Sequence, residues 1–372
     1  VKILLLSAYD AQSHRYWRES LIAEFDQYQW TVLTLAPRFF SYRVRANPMT
    51  WFAEQRSILA ADYDLIIATS MVDMATLKGL IPSLAATPLW LYCHENQFSY
   101  PLSNKLDQHL LNNLDAKMVF LYNCLAAKQI SFNSEFNRST AIHGLETLLK
   151  KFPEKIPVTL IDEISAKAHV LAVPLQPLTD SDQLKITART VNKNTPLKIL
   201  WNHRWEYDKG PELLLAIVER LADDNLVVEL NIVGQQFRKK PEAFSAIKKA
   251  IEQSDIIELG RWGFVESLTD YRKLLIDCDI VLSTALHDFQ GLAVLEAVQA
   301  GCIPLLPDHL VYPEIFPSTY LYRVSDDREQ VATNVLERLR AWQQDQWPSP
   351  AVISDFEWKH LYQQYLACIK AQ

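Results

Sequence analysis

The sequence predicts an α/β protein of two Rossmann-like, doubly wound parallel-sheet domains, and three observations predict it. Short, fully apolar runs recur along the chain and alternate with stretches of helical spacing. The alternation stops once, in a polar and proline-bracketed stretch at 174–196, and then resumes. At 372 residues the chain is too long for one ordinary domain and comfortable for two.

In the first half the strand-like runs are 2–6, 31–35, 65–68, 88–93, 118–121 and 169–173, with helical spacing at 13–25, 71–80 and 135–149. A run apolar on both faces needs helices above and below it, which is the environment of a parallel strand. The stretch PLQPLTDSDQLKITARTVNKNTP lacks apolar periodicity and reads as a linker, 175–196. Strand-like runs then return at 197–201, 227–233, 256–259, 280–283 and 303–306, with helices expected from Pro211, Glu242, Ser267 and Gly291. The tail, 354–371, reads as a helix rich in aromatics that can cross back to the first domain. The expected layout is a first domain at 1–174, a second at 197–353 and the helix at 354–372. Domains of this kind hold ligands at the carboxyl ends of their strands, here on both sides of an expected cleft.

Composition narrows the class. With 49% hydrophobic and 22% charged residues the chain can bury a core, and global disorder is excluded. The five cysteines (Cys93, Cys124, Cys278, Cys302, Cys368) form no C-x-x-C pair, which fits a reducing cytoplasm and argues against structural zinc. The opening VKILLLSA lacks the flanks of a signal peptide and no run of about 18 apolar residues occurs, so a soluble cytoplasmic protein without a membrane partner is expected. A net charge of −7 means that any nucleic acid must be met by a local patch. One exists at 31–60, where Arg38, Arg43, Arg45 and Arg56 face only Glu54. The same arginines equally fit a solvated loop.

Six segments carry chemistry. HDFQGLAVLE, 287–296, follows a strand and opens a helix at Gly291, whose free N–H groups suit an anion. Asp288 precedes that helix and Glu296 lies inside it, both able to accept from sugar hydroxyls, although a cap and an ordinary helical glutamate look the same. Arg204 and Lys209, in WNHRWEYDKG, are spaced to reach one diphosphate. Gly234 ends a strand, and GRWGF at 260–264 makes a glycine-flanked turn able to wall a base with Trp262, Gly263 and Phe264. In PRFFSYRVR, 37–45, Arg38, Arg43 and Arg45 alternate with Phe39, Phe40 and Tyr42, the mixture that holds unstacked RNA bases. Aromatics in a core with arginines in water would read identically. His94, Glu95 and Asn96 follow a strand in HENQFSYP, where a buried, satisfied histidine is the plain alternative.

The order of these pieces resembles the retaining glycosyltransferases of the GT-B fold, family four: R-x₄-K, then V-G, then the base turn, then E-x₇-E, here Asp288 to Glu296. More pieces resemble one subgroup, the tRNA-queuosine α-mannosyltransferases: Ser13-His14, the 37–45 block, HENQFSYP, FNSEFN with Asn133, HRWEYDK and LVYPEIF at 310–316. Where that subgroup often has glycines ahead of Ser-His, this chain has Asp10-Ala11-Gln12. The resemblance implies two domains facing each other across a cleft, and transfer of mannose from GDP-mannose to queuosine in the anticodon of tRNA(Asp). It implies that Arg204 and Lys209 hold the diphosphate, Glu296 the ribose, and Asp288 with Phe289, Gln290, Gly291 and Leu292 the sugar and phosphate. It further implies that His94 contacts the donor sugar, and that Ser13, His14, Glu95, Asn96, Asn133 and the arginine block serve the tRNA. No metal, no cofactor beyond the donor and no obligate protein partner are expected. The rivals are a transferase of the same fold acting on a lipid-linked or small acceptor, and a non-catalytic RNA-binding protein. The first lacks a convincing basic amphipathic helix, and the second sits badly with intact Arg204, Lys209 and Glu296.

Overall fold

The structure is a computed structural model that describes residues 1–99, 114–188, 195–237, 240–344 and 347–371. The chain forms two compact units, Val1–Gln176 with Phe356–Gln372, and Pro177–Asp355. Each holds one six-stranded, all-parallel sheet.

Unit 1 runs β1 (Lys2–Ser7), α1 (Gln12–Glu24), β2 (Gln29–Thr34), α2 (Phe40–Glu54), α3 (Arg56–Leu59), β3 (Leu65–Thr69), α4 (Met74–Leu80) and β4 (Leu89–Cys93). It continues with α5 (Leu114–Ala126), β5 (Gln129–Phe132), α6 (Glu135–Leu149), α7 (Thr159–Ala166) and β6 (Ala168–Val170). The sheet order β2-β1-β3-β4-β5-β6 reverses direction between β1 and β3. One face buries Leu4, Leu6, Ile66, Ala68, Leu91 and Phe132 in a continuous core. The other face carries Trp90 and Tyr92, and Trp17 of α1 stacks on Tyr92 at 4.2 Å between ring centroids.

Two expectations for unit 1 fail, for one reason. Residues 118–121 lie inside α5 rather than in a strand, and the strand is Gln129–Phe132. A short apolar run fits a buried helix as well as a strand, whereas β5 contains Gln129 and Ser131 and so looked too polar. Ser131 is nonetheless fully buried, with its hydroxyl accepting from the Trp90 indole at 2.8 Å.

Unit 2 runs α8 (Asp180–Ala188), β7 (Leu197–Trp201), α9 (Pro211–Ala222), β8 (Val228–Val233), α10 (Ala243–Glu252), β9 (Ile257–Gly263) and α11 (Leu268–Asp277). Then come β10 (Ile280–Leu282), α12 (Leu292–Gln299), β11 (Ile303–Pro307), α13 (Tyr312–Ile315), β12 (Leu321–Tyr322) and α14 (Arg328–Gln343). Its order β12-β11-β10-β7-β8-β9 reverses between β7 and β10. The stretch read as a linker holds a helix: Thr179 accepts from the Asp182 N–H at 3.2 Å and donates to its carboxylate at 2.7 Å, capping α8. Ile186 of that helix lies against Gly301. Residues 189–194 of the stretch lie outside the described residues.

The tail forms α15 (Trp358–Lys370), which belongs to unit 1. Tyr365 accepts from the Trp17 indole at 3.0 Å and donates to the Ala172 carbonyl at 2.9 Å, while Trp358 donates to Ser20 at 2.7 Å. The aromatics that marked this segment are therefore the lid on one face of the first sheet.

Candidate active site

In unit 2 the reversal between β7 and β10 leaves the loops 202–210 and 283–291 side by side at the carboxyl edge, where such sheets hold ligands. The loops are stitched together. Asp208 O accepts from the N–H groups of Leu286 (2.9 Å) and His287 (3.1 Å), and the Thr284 hydroxyl donates to Lys209 O at 2.8 Å. Gly210 has φ +62°, and a Cβ there would lie 2.1 Å from the Thr284 carbonyl oxygen. Gly234 fixes a third loop in the same way, since a Cβ on it would meet the His203 carbonyl oxygen at 1.8 Å.

The charged side chains converge on this seam. Lys209 is buried and donates to His287 O at 2.6 Å, with the carboxylates of Asp208 and Asp288 each 3.5 Å from its ammonium. Asp288 Oδ1 accepts from the Gly291 N–H at 3.0 Å, and its Oδ2 accepts from the Tyr312 hydroxyl at 3.1 Å. Burial pushes the Asp288 carboxyl up, but Lys209, His203, His287 and the Tyr312 hydroxyl together outweigh it and hold the group below its ordinary value. Gly291, at φ +71°, is the N-cap of α12, so the helix N-terminus opens on the same seam. Arg204 is 44% exposed along its side chain and pairs with Glu206 and, at 3.3 Å, with Asp208. His203 is driven down to about 3 and His287 to about 4, in both cases by burial first and then by Lys209, so both rings are neutral at pH 7. Asn202 Oδ1, His203 Nε2 and Asp208 Oδ1 are buried acceptor positions without a hydrogen-bond partner among the described residues.

Beyond the seam, Glu296 sits one turn into α12, half-buried, with the Tyr271 hydroxyl 3.5 Å from its carboxylate. Burial lifts its carboxyl to about 7, against the pull of Tyr271 and Arg272. Trp262 packs edge-on against Trp205 at 4.9 Å, and Phe264 beside it is 53% exposed and presents a free ring face. Phe289 and Gln290 are buried, and Leu292 half-buried, in the turn into α12. Sequence reasoning missed Tyr271 and Ser283, which hold Asn202 and Tyr312 in place at 3.0 and 2.9 Å. A tyrosine in a helix and a serine after a strand give no local signal of such a role.

In unit 1 the expected residues separate into distinct groups. His94 is buried, stacked on His14 at 4.3 Å and edge-on to Trp17 at 4.9 Å. Burial first, and then His14, hold its pKa well below the ordinary value. His14 Nδ1 bonds the Tyr9 carbonyl at 2.6 Å, whereas Ser13 is exposed on the first turn of α1. Glu95 is half-buried. Asn96 and Asn133 use their amides on the protein: Asn96 bonds Asn137 and Thr140 and accepts from the Phe98 and Ser99 N–H groups. Asn133 donates to His94 O and accepts from Asn137. Both shape the loop after β4; Tyr100 and Pro101 of that motif lie outside the described residues. The 37–45 block is mainly the first turns of α2 rather than a loop. Phe39 (71% exposed) and Tyr42 (78%) face solvent, with the Arg38 guanidinium 5.8 Å from the Phe39 ring centre. Phe40 packs on Tyr9, Arg43 is half-buried, and Arg45 is paired with Asp73 at 2.6 Å. Among the described residues no helix is long and apolar enough to cross a membrane, and no cluster of His, Cys, Asp and Glu is arranged to hold a metal ion.

Residues 2–175 match the family "tRNA-queuosine alpha-mannosyltransferase N-terminal", and residues 182–340 match "Glycosyl transferases group 1". A Drosophila melanogaster protein named tRNA-queuosine alpha-mannosyltransferase is 29% identical over 374 residues, covering 98% of this chain and 95% of the relative. A GDP-mannose:cellobiosyl-diphosphopolyprenol alpha-mannosyltransferase of Xanthomonas oryzae is 23% identical over 45% of each chain. Among solved structures, Anabaena HepE in complex with UDP aligns over 100% of both chains with a TM-score of 0.63 at 14% identity. A UDP-forming trehalose-phosphate synthase from Burkholderia xenovorans covers 99% of this chain and 98% of its own, with a TM-score of 0.65 at 13% identity. At these identities the structural likeness shows the fold alone, and that fold is GT-B.

Proposed function

We propose that this chain, a glycosyltransferase, transfers mannose from GDP-mannose to queuosine in the anticodon of tRNA(Asp), with retention at the sugar carbon and without a metal, a reading supported by its likeness to the tRNA-queuosine alpha-mannosyltransferases. The observation that carries this reading is the seam of unit 2, where buried Lys209 meets Asp288 at the N-terminus of α12. A sugar leaves a nucleoside diphosphate as negative charge grows on the phosphate and positive charge on the sugar. Lys209 and the uncompensated N–H groups of α12 supply a fixed positive field for that phosphate, the role a divalent ion takes in other transferases. Arg204 exchanges its contacts with Glu206 and Asp208 for the diphosphate. Glu296, near 7, is partly protonated at neutral pH and can both accept from and donate to ribose hydroxyls. Asp288 is held ionised and aimed by Gly291 and Tyr312, and it accepts from a sugar hydroxyl. The departing phosphate takes the proton of the incoming acceptor on the face it leaves, so no protein nucleophile is assigned.

On the RNA side, the support is the exposed pair Phe39 and Tyr42 flanked by Arg38. Phe39 has φ +56°, a left-handed conformation that costs a non-glycine residue about 1–2 kcal/mol, and it holds the ring out into solvent. Stacking on an unpaired base would repay that strain. The test is incubation with labelled GDP-mannose and tRNA that has or lacks queuosine, with and without EDTA. Label should enter only queuosine-containing tRNA, at the same rate in chelator. Equal labelling of both tRNAs would remove the acceptor assignment, and loss in EDTA restored by magnesium would remove the metal-free mechanism.

A further inference from the structure

The carboxyl edge of the unit 1 sheet also reverses, between β1 and β3, and its side chains answer to nothing described so far. Ser7 ends β1 and Thr69 ends β3; the register Leu6 to Ala68 sets them side by side, and Thr69 lies opposite Tyr92 of β4. Paired residues of parallel strands share a face, so Ser7 and Thr69 point to the side of Tyr92, where the His94 ring lies 4.8 Å from the Tyr92 ring. Ser70 follows directly. The exposures are 1% for Ser7, 1% for Thr69, 5% for Ser70 and 7% for His94. Yet Ser7 Oγ, Thr69 Oγ1, Ser70 Oγ and His94 Nε2 all lack a hydrogen-bond partner among the described residues. Buried polar atoms are satisfied almost everywhere in folded proteins, so a group of four at one switch point marks a place where a ligand supplies the partners.

We infer that this edge, formed by Ser7, Thr69, Ser70 and His94, seats the vicinal diol of the acceptor; the inference rests on the proposed transfer to queuosine. The chemistry of the edge selects an uncharged, hydroxyl-rich group. Each serine and threonine hydroxyl both donates and accepts, as a diol does, and the imidazole nitrogen takes either part according to its tautomer. A phosphate would want cations, and the charged residues nearest in sequence, Glu95, Asp10 and Asp73, are anions, with Asp10 bound to Arg18 at 3.0 Å and Asp73 to Arg45 at 2.6 Å. The His94 ring is fixed by His14, Trp17 and Tyr92, so its Nε2 meets the diol without a loss of side-chain freedom.

Ser7→Ala and Thr69→Val test this, singly and together, because each removes an unpartnered hydroxyl at nearly constant shape. The thermal midpoint should hold or rise, which separates a ligand role from a structural one. With wild-type protein transferring mannose to queuosine tRNA, the double variant should raise KM for that tRNA about tenfold and leave KM for GDP-mannose unchanged. Binding of the same tRNA carrying guanosine, which has no diol, should be identical in wild type and variant. An unchanged KM for queuosine tRNA overturns the inference, as does equal weakening of the guanosine tRNA. A raised donor KM instead would assign the edge to the donor sugar. Failure of wild-type protein to modify queuosine tRNA overturns the underlying reading of function, independently of the variants.

Discussion

At the switch point of unit 2 the side chains are charged: Arg204 and Lys209 pair with Glu206, Asp208 and Asp288 across two stitched loops. At the switch point of unit 1 they are hydroxyls and a neutral imidazole, buried and unpaired among the described residues. The topology that makes the two edges is the same in kind, and the chemistry is opposite. Ion pairs at the first are a reserve of charge that a diphosphate can redirect. Unpaired hydroxyls at the second carry a desolvation cost that a polyol would relieve. On the proposed reading, one edge serves a leaving group and the other a recipient.

The comparison breaks most directly at Lys209. Lys209→Ala strips the buried partner from Asp208 and Asp288, which costs about 3–5 kcal/mol when one member of a buried pair is lost. Transfer should fall on the order of hundredfold, and denaturant unfolding should register the lost stability. Arg204→Ala, at a half-exposed site, should cost transfer about tenfold with little change in stability. Unaltered rates in both variants would mean that the charged edge does not hold the donor.

Acid should weaken the charged edge, by a smaller amount. His203 and His287 have folded values near 3 and 4, below the ordinary 6.5, so the unfolded chain takes up their protons first and stability falls as pH drops below about 6.5. Each should cost about 2 kcal/mol by pH 5. Glu296 opposes them. Its folded value of about 7 lies above the unfolded one, so its contribution grows as pH falls from about 7 toward 4.5 and returns roughly 2 kcal/mol. Among these three groups the net loss between pH 7 and 5 is about one histidine's worth, ~2 kcal/mol, and buried His94 adds to it in the same direction. Unfolding curves at the two pH values should show a loss at least that large, and His203→Gln should shrink it by one histidine's share; an unchanged profile in His203→Gln would contradict a neutral, buried His203.

The exposed patch of Arg38, Phe39 and Tyr42 should give the mildest effect. Because Arg45 is held by Asp73, Arg38 is the arginine most open to a phosphate, so Arg38→Ala should lower the slope of tRNA affinity against salt by about 1. Phe39→Ala should weaken tRNA binding without altering that slope. A slope unchanged in Arg38→Ala would leave the patch without an electrostatic role.

The charged edge was legible in the sequence because charges at fixed spacing are rare enough to stand out: Arg204 and Lys209 five apart, then Asp288 eight before Glu296. The neutral edge was not. Serine and threonine at a strand end are ordinary, and only the sheet register reveals that Ser7, Thr69 and His94 converge without partners. In unit 2, β7, β8, β10 and β11 were read nearly as they stand because apolar residues dominate each, whereas β9 runs on through Arg261 to Gly263 and the two-residue β12 offered no run to read. In unit 1 the buried helix at 118–121 imitated a strand, while β5 hid behind the polar Gln129 and Ser131. Asn96 and Asn133 looked like ligand contacts, and their role in binding the loop after β4 to Asn137 could not be seen without the fold.

The aromatic helix α15 ties the first sheet to a segment made after all of unit 2. Trp17, Trp90 and Tyr92 meet Tyr365, and Ser20 and Phe25 meet Trp358, only when those residues have been synthesised. On the ribosome, about 180 residues separate the two parts, on the order of 10–40 s of elongation at usual rates. Throughout that interval unit 2, continuous in sequence, emerges entire, while the first sheet waits with one aromatic face uncovered. The N-terminal unit is thus the last to close, although its first residues are the first to be made.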